Sequence, residues 1–356
     1  MSVSAFDHPI LSGLVGDEEF AALFSVVAEL AAILRFEIAL AEAEAEEEII
    51  SQEAAEAISA ALQHYKPDVG ALNRGIARDG VVIPALVEQL RQKLPEEHRT
   101  CLHFGATSQD PIDTALAMRL SQATTLLATR LDEVIESLDA LERRDGGIEV
   151  MAHTRMQAAI PVRAGRKIIS WRDPLMRHRA RLETIRKSVT VLTFGGAAGT
   201  LDKLGEKGPA VAARLARKLG LNLVARARHS ERDGIVDFAS FLSLVTGSLG
   251  KMGQDVALMA QNEMGEVQVA EGGGSSAMPH KQNPVKAEIL VTLARFNATL
   301  LSGMHHALIH ENERSGAAWT LEWMLLPQMV VATGAALRIA NELAGGITFA
   351  IRKASP

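Results

Sequence analysis

The sequence predicts an all-α fold in which long helices pack into a bundle. Hydrophobic residues make up 47% of the 356-residue chain but aromatic residues only 4%, so a large and mostly aliphatic core is expected. Long segments rich in Ala, Leu, Glu and Arg favour helices, because β-branched and aromatic residues are the ones typical of strands. Apolar residues that recur every three or four positions indicate helices as well.

Residues 1–110 are predicted to form a small N-terminal helical domain. Phe20, Leu23, Val27, Leu30 and Leu34 follow helical spacing, which predicts an amphipathic helix over 17–48. Its acidic end is expected to be a solvated face and comprises Glu42, Glu44, Glu46, Glu47 and Glu48. Pro and Gly breaks near 66–68, 79–80, 94–95 and 105 predict short helices over the rest of this domain.

Residues 111–345 are predicted to form the central long-helix bundle. Helical patterns cover 111–144, 162–191, 208–219, 233–271 and 284–310, with polar or glycine-rich joints between them. In the last of these, Ile289, Leu293, Phe296 and Leu300 form a stripe that is expected to pack against neighbouring helices. Residues 346–356 are expected to be a short tail.

Composition and charge exclude several classes of function. With 43 acidic and 37 basic residues the net charge is −6, which argues against nucleic acid as a partner. A single cysteine, Cys101, excludes a disulfide framework and fits a reducing cytoplasm. The apolar stretch over 325–340 is interrupted by polar residues, and residues 1–7 lack a secretory pattern, so no membrane association is predicted.

The segment 272–284 is predicted to be a catalytic loop that handles anions. Three glycines permit close approach to a ligand, and Pro284 suits the first turn of the following helix. A helix N-terminus and the charge of Lys281 would stabilise a carboxylate or a serine alkoxide, so Ser275 is the candidate acid and base. The loop residues expected to contact substrate are Ser276, Met278 and Asn283.

This loop carries a family resemblance. The pattern Gly-Ser-x-x-Met-x-x-Lys-x-Asn resembles the signature of the fumarase/aspartase superfamily, whose members make or break a bond β to a carboxylate. The resemblance implies a mainly helical homotetramer whose active sites combine segments from several protomers. It implies no cofactor or metal. Superfamily members usually continue into a C-terminal helical domain, so that domain is expected to be largely missing from this chain.

A second motif covers 103–110, where two hydroxyl side chains and an amide precede a predicted helix. The resemblance implies that this segment binds a substrate carboxylate through Thr107 and Ser108. His103 matches a histidine of the adenylosuccinate-lyase and carboxymuconate-cycloisomerase branches. A simple N-cap by Ser108 or Asp110 is the structural alternative.

The third motif, 153–161, resembles the superfamily segment Arg-Thr-His-x-Gln-x-Ala-x-Pro, but Arg155 stands where the lyases carry their acid histidine. A guanidinium stays protonated and cannot donate a proton to a leaving group, whereas its planar fork suits a carboxylate. Arg155 therefore points to a reacting carboxylate and to the carboxymuconate-cycloisomerase branch. His153 and Gln157 are expected to orient or bind substrate, although a packed core histidine is the alternative for His153.

The fourth segment, 310–323, also resembles that branch. Arg314 is expected to contact a second substrate carboxylate, with a surface ion pair to Glu311 or Glu313 as the alternative. Trp319 and Trp323 are expected to be packing residues. The expected reaction is metal-independent lactone closure of a small polycarboxylate, carboxy- or sulfo-substituted. The alternatives are a fumarate-releasing lyase and a non-catalytic structural homologue.

Overall fold

The computed structural model describes residues 3–270, 272–274, 278 and 281–350. The N-terminal part holds α1 (Ser12–Val15), α2 (Glu18–Ala22), α3 (Val26–Glu46), α4 (Gln52–Leu62), α5 (Val69–Asp79) and α6 (Ile83–Arg91). The later helices are α7 (Gln109–Asp145), α8 (Ala164–Val189), α9 (Gly208–Leu219), α10 (Asp233–Met259), α11 (Val285–Ala307) and α12 (Ala317–Gly346). Short 3-10 helices cover Glu96–His98 and Asp202–Lys207.

In the described part of the chain, four strands form two small antiparallel sheets beside the helices. A hairpin pairs β1 (Glu149–Thr154) with β2 (Gln157–Arg163), and a second sheet pairs β3 (Val267–Val269) with β4 (Ile347–Phe349). The all-α prediction is confirmed at the level of fold class, and the strands are additions to it. The helix predicted over 233–271 was too long, because α10 ends at Met259 and the chain then enters β3.

Helices α2 to α5 begin at side-chain caps. Ser25 accepts a hydrogen bond from the Ala28 amide at the start of α3, and this cap divides the single helix predicted over 17–48 into α2 and α3. Ser51 and Asp68 cap α4 and α5 in the same way. The division of the chain at residues 110 and 345 stays a prediction.

Five long helices, α7, α8, α10, α11 and α12, form the bundle. Glycines allow α10 and α11 to pack closely, since a Cβ on Gly253 would lie 2.5 Å from the Ala287 carbonyl oxygen, and one on Gly250 would lie 2.5 Å from the Ala294 Cβ. Among the described residues, α10 and α12 are long and apolar enough to cross a bilayer. More than half of the most apolar window in each is buried inside this bundle, which is expected of core helices.

The bundle has two ends, defined by α7. This helix has 37 residues and therefore spans about 55 Å. Helix α8 runs antiparallel beside it, because Arg172 pairs with Asp139 and Arg179 with Asp132. We call the end at the start of α7 the residue-108 end and the opposite end the residue-145 end.

Candidate active site

The residue-108 end is organised around the buried carboxylate of Asp110. Its two oxygens accept hydrogen bonds from the amides of Thr107 (2.9 Å), Gly195 (3.0 Å) and Gly196 (3.0 Å). The Nε2 atom of buried His229 lies 2.7 Å from Asp110 Oδ1. One side chain thus joins the 103–110 segment to the glycine-rich run at 194–199, which lies in the joint between the helices predicted over 162–191 and 208–219.

Arg314 lies at the same end and is exposed. Its Nε donates to Gln109 Oε1 at 3.1 Å, and its Nη2 donates to the carbonyl oxygens of Ala197 (3.2 Å) and Gly196 (3.4 Å). Among the described residues these partners are neutral, so the surface ion pair with Glu311 or Glu313 is absent. The guanidinium is therefore held in place while its charge stays available to an anion.

His103 is the third functional candidate at this end. Its Nδ1 lies 2.7 Å from Oε1 of Glu37 on α3, and its backbone is left-handed, with φ of 60°. Burial alone would lower the pKa of His103, but the charge and hydrogen bond of Glu37, and the charge of Asp110, raise it above its ordinary value. Thr107 and Ser108 are partly exposed beside it, and Ser108 makes no side-chain cap to α7.

A network of buried ion pairs stabilises the residue-108 end. Arg232 Nε donates to Glu322 Oε2 at 2.9 Å and its Nη1 to Asp113 Oδ2 at 2.7 Å, while Trp319 Nε1 donates to Asp113 Oδ1 at 3.0 Å. Burial alone would lower the pKa of Arg232, but the charges of Asp113 and Glu322 raise it. Trp319 packs edge-on against Trp323 with ring centroids 4.6 Å apart, as expected for packing residues.

His153, Arg155 and Gln157 all lie on the exposed β1–β2 hairpin. Thr154 pairs with Gln157, so Arg155 and Met156 form a two-residue turn in which both have positive φ, 49° and 68°. This is the turn type that favours Asn-Gly, and left-handed backbone costs an ordinary residue about 1–2 kcal/mol. The strained backbone therefore includes Arg155, for which a functional role is predicted.

The hairpin borders a basic groove of about 830 Å³ between itself, α8 and α10. Five cations and two carboxylates line it, and they are Arg155, Arg166, Lys167, Arg177, Lys251, Asp173 and Asp255. Lys251 pairs with Asp255, and Lys167 lies 3.9 Å from Glu266, whereas among the described residues Arg166 and Arg177 have no ion pair. The groove thus carries an excess of positive charge suited to a polyanion.

The 272–284 loop is described only in part. Ser275, Ser276 and His280 lie outside the described residues. Gly273 and Asn283 exchange backbone hydrogen bonds of 2.8 and 2.9 Å, which closes the loop directly before α11. Lys281 and Met278 are exposed, and Asn283 is partly exposed. The loop therefore presents Lys281 and Asn283 near a helix N-terminus, as the sequence predicts.

The candidate residues fall at opposite ends of one protomer. Arg177 lines the same groove as Arg155 and lies two residues before Arg179, which pairs with Asp132. Asp132 is 24 residues beyond Ser108, or about 36 Å along α7. His103, Thr107, Ser108 and Arg314 thus form one group, whereas His153, Arg155 and Gln157 lie far from it. One protomer does not bring the two groups together.

Sequence reasoning missed Glu37, His229 and the contact of Asp110 with Gly195 and Gly196. Glu37 lies one turn from Ile33 and Leu34 on the buried stripe of α3, and helical spacing alone could have placed it in the core. His229 follows no motif with a defined spacing, so nothing in the sequence pointed to its contact with Asp110 across 119 residues.

His310 is partly buried, and burial, with the charge of Arg232, lowers its pKa.

Comparisons with known proteins identify the family. Residues 18–299 match a family model described as a lyase. The chain belongs to this lyase family of the fumarase/aspartase superfamily, and the predicted superfamily is confirmed.

Individual relatives place the chain in the carboxymuconate-cycloisomerase branch, which confirms that prediction. The chain is 40% identical over 332 residues to 3-carboxy-cis,cis-muconate cycloisomerase of Pseudomonas aeruginosa, an overlap of 92% of this chain and 72% of that protein. The structure of the 3-carboxy-cis,cis-muconate lactonizing enzyme from Pseudomonas putida matches 96% of this chain with a TM-score of 0.91 and 37% identity.

A third relative carries a different activity in its name. The structure of a fumarate lyase from Mesorhizobium sp. BNC1 matches 94% of this chain, at a TM-score of 0.88 and 35% identity. This chain covers 77% of the lactonizing enzyme and 76% of the fumarate lyase. It therefore spans about three quarters of the length of these proteins.

Proposed function

We propose that this protein is an intramolecular cycloisomerase that converts 3-carboxy-cis,cis-muconate to a carboxymuconolactone. The observation that carries the proposal is Arg155. It occupies the acid-histidine position of the lyases at the tip of an exposed hairpin and borders a groove rich in unpaired cations. A permanent cation at this position suits a reaction in which the group that forms or breaks the bond is a carboxylate.

The proposed reaction forms one C–O bond and moves one proton. An oxygen of one substrate carboxylate attacks a carbon of the conjugated alkene, and the π electron pair moves onto another conjugated carboxylate as an aci-carboxylate. Arg155, Arg314 and Lys281 stabilise this charge. Ser275 then delivers a proton to the adjacent carbon, and in reverse its alkoxide removes that proton.

Substrate positioning falls to the remaining candidates. Thr107, Ser108, Gln157, Ser276 and Asn283 offer hydroxyl and amide groups to the carboxylates that do not react. His103, His153 and Met278 are assigned to substrate orientation. Holding the nucleophilic carboxylate against the alkene carbon replaces an encounter in solution by a fixed geometry.

Activity in this proposal requires assembly. In one protomer about 36 Å of α7 separates Ser108 from Asp132, which pairs with Arg179 beside the groove that the hairpin borders, so a complete site needs segments from different protomers. Met156 at the hairpin tip is 72% exposed and Ile160 is 65% exposed, which favours a further protein surface over them. We assign a homotetramer, a cytoplasmic location and a role in protocatechuate degradation through the β-ketoadipate pathway.

A fumarate-releasing lyase is the second candidate, and the similarity to the Mesorhizobium fumarate lyase favours it. The two functions differ in what they require at residue 155. A lyase needs a proton for its departing amine or alkoxide, whereas lactone closure needs none there. Arg155→His should therefore weaken lactonisation and leave an acid suited to lyase chemistry.

Ultraviolet absorbance provides the test. Purified protein is mixed separately with 3-carboxy-cis,cis-muconate, its 3-sulfo analogue and adenylosuccinate, each with and without a chelator. Loss of a muconate chromophore that resists the chelator is the expected result, and the two muconate rates rank the substituents. Turnover of adenylosuccinate alone would contradict the assignment of Arg155, and no turnover of any substrate would favour the non-catalytic homologue.

A further inference from the structure

Glu37 is a carboxylate inside the hydrophobic core of the N-terminal helices. It is 1% exposed and lies on the stripe of α3 that also buries Leu30, Ile33, Leu34 and Leu40. A buried carboxylate costs free energy unless a partner compensates its charge. The position of Glu37 therefore calls for a specific partner.

His103 is the partner that the described residues provide. Its Nδ1 lies 2.7 Å from Glu37 Oε1, whereas Glu37 Oε2 is buried and accepts no hydrogen bond from any residue that the structure describes. The ring's Nε2 makes no hydrogen bond within the described residues. A carboxylate can only accept, so it fixes the proton on Nδ1 and directs Nε2 away from the core.

The backbone supports the same orientation. His103 has a φ of 60° between buried Leu102 and Gly105, which has a φ of 69°. Arg91 on α6 donates to the carbonyl oxygens of Arg99 (3.2 Å) and Leu102 (3.4 Å), which anchors the segment that leads into His103. A left-handed histidine costs free energy and persists where the surroundings determine it.

Charges on three elements face the imidazole. Glu37 on α3 and Asp110 on α7 favour its protonated form, and Arg91 on α6 opposes it. The pKa of His103 is raised because the carboxylates outweigh both burial and Arg91. With Nδ1 occupied, a protonated ring has one N–H left, and this N–H lies in the same group as Thr107 and Ser108.

We propose that Glu37 is a positioning residue that holds the His103 ring through Nδ1, so that Nε2 faces a carboxylate of the bound polyanion and donates to it when the ring is protonated. Glu37 itself touches no substrate. The proposal rests on the proposed function for the identity of the polyanion, but the pairing of Glu37 with His103 is independent of it.

The pairing is tested without substrate through hydrogen–deuterium exchange at the histidine C2 position, followed by mass spectrometry. Trypsin releases residues 100–119, a peptide whose single histidine is His103, so its titration is read directly. Glu37→Gln keeps the shape and an acceptor but removes the charge, and His103 should titrate at lower pH than in the wild type. Glu44→Gln, a second buried position two turns further along α3, is the matched control and should leave this titration in place.

A double-mutant cycle tests whether Glu37 acts through His103. We expect Glu37→Gln to lower kcat/KM for the active substrate by about tenfold to a hundredfold, the range for loss of a hydrogen bond to a charged group. In a His103→Gln background the same change should have no further effect. Circular dichroism of each variant checks that the fold is retained.

The outcomes separate the two proposals. An unshifted His103 titration in Glu37→Gln, or equal losses in both backgrounds, would overturn the positioning role. If none of the three substrates reacts, the cycle is run on binding of tricarballylate by calorimetry, and the same pattern in Kd supports the role. Failure of the proposed function therefore leaves the role of Glu37 testable.

Discussion

The buried carboxyl group of Glu44 allows a direct test of how the free energy of unfolding depends on pH. It was expected on a solvated acidic face, but it is 0% exposed, and both of its carboxyl oxygens are buried without a hydrogen-bond partner among the described residues. Burial, together with the charge of Glu37, raises its pKa to about 9. The perturbation we propose is Glu44→Gln, which keeps the shape and removes the titration.

The sign and size of the effect follow from linkage. The folded pKa is raised above the unfolded value of 4.5, so the unfolded state loses its proton first as pH rises, and stability falls between pH 4.5 and about 9. Each pH unit in that window is worth about 1.4 kcal/mol. Between pH 6 and pH 8 the free energy of unfolding of the wild type should therefore fall by about 3 kcal/mol relative to that of Glu44→Gln.

Urea unfolding of both proteins at these two pH values, at one protein concentration, measures the difference. Glu46→Gln is the control, because Glu46 lies on the exposed side of the same helix and its hydrogen bond to Lys218 lowers its pKa. A carboxyl group with a lowered folded-state pKa contributes its full stabilisation above its unfolded pKa, so the contribution of Glu46 is already complete at pH 6. The free energies of unfolding of Glu46→Gln and the wild type should therefore differ by the same amount at pH 6 and pH 8. If the free energies of unfolding of Glu44→Gln and the wild type also differ by the same amount at both pH values, the reasoning is refuted and Glu44 reaches water.

Three further predictions concern the candidate site and its support. Ser275→Ala should abolish turnover in the absorbance assay and leave the circular dichroism spectrum unchanged; retained turnover would exclude Ser275 as the acid. Changing Arg155 and Met156 together to Asn-Gly should relieve the strained turn and stabilise the folded state by about 2 kcal/mol. The same variant should lose turnover. If it loses stability as well as turnover, the turn is not strained. Arg232→Leu leaves two buried carboxylates without their cation and should cost about 3–5 kcal/mol in urea unfolding.

Much of the helical architecture follows from local patterns. The helix predicted over 208–219 matches α9, and the one predicted over 111–144 differs from α7 by two residues at its start and one at its end. Glycine and proline mark those boundaries, and long apolar stripes fill the spans between them. The length predicted for α7 already implies that motifs before and after it lie far apart in one protomer.

The hairpin turn could not be predicted in the same way, and composition alone did not predict the burial of Glu44. Arg155-Met156 has none of the residues that favour a tight hairpin turn, because the surroundings impose a conformation that these residues disfavour locally. Glu44 lies within an acidic run whose other members, such as Glu42 and Glu46, do pair with Lys218 at the surface. Composition treats the run as uniform, whereas helical spacing places Glu44 two turns beyond Glu37 on the buried side of α3.

The carboxylate of Asp110 has a consequence for ligand binding. It accepts from Thr107, Gly195, Gly196 and His229, so two loops distant in the sequence are locked into one arrangement when the chain folds. The conformational entropy of ordering them is lost at folding, and a ligand at the residue-108 end has little left to order. We expect binding there to resemble the filling of a rigid receptor, with affinity set by the charges presented.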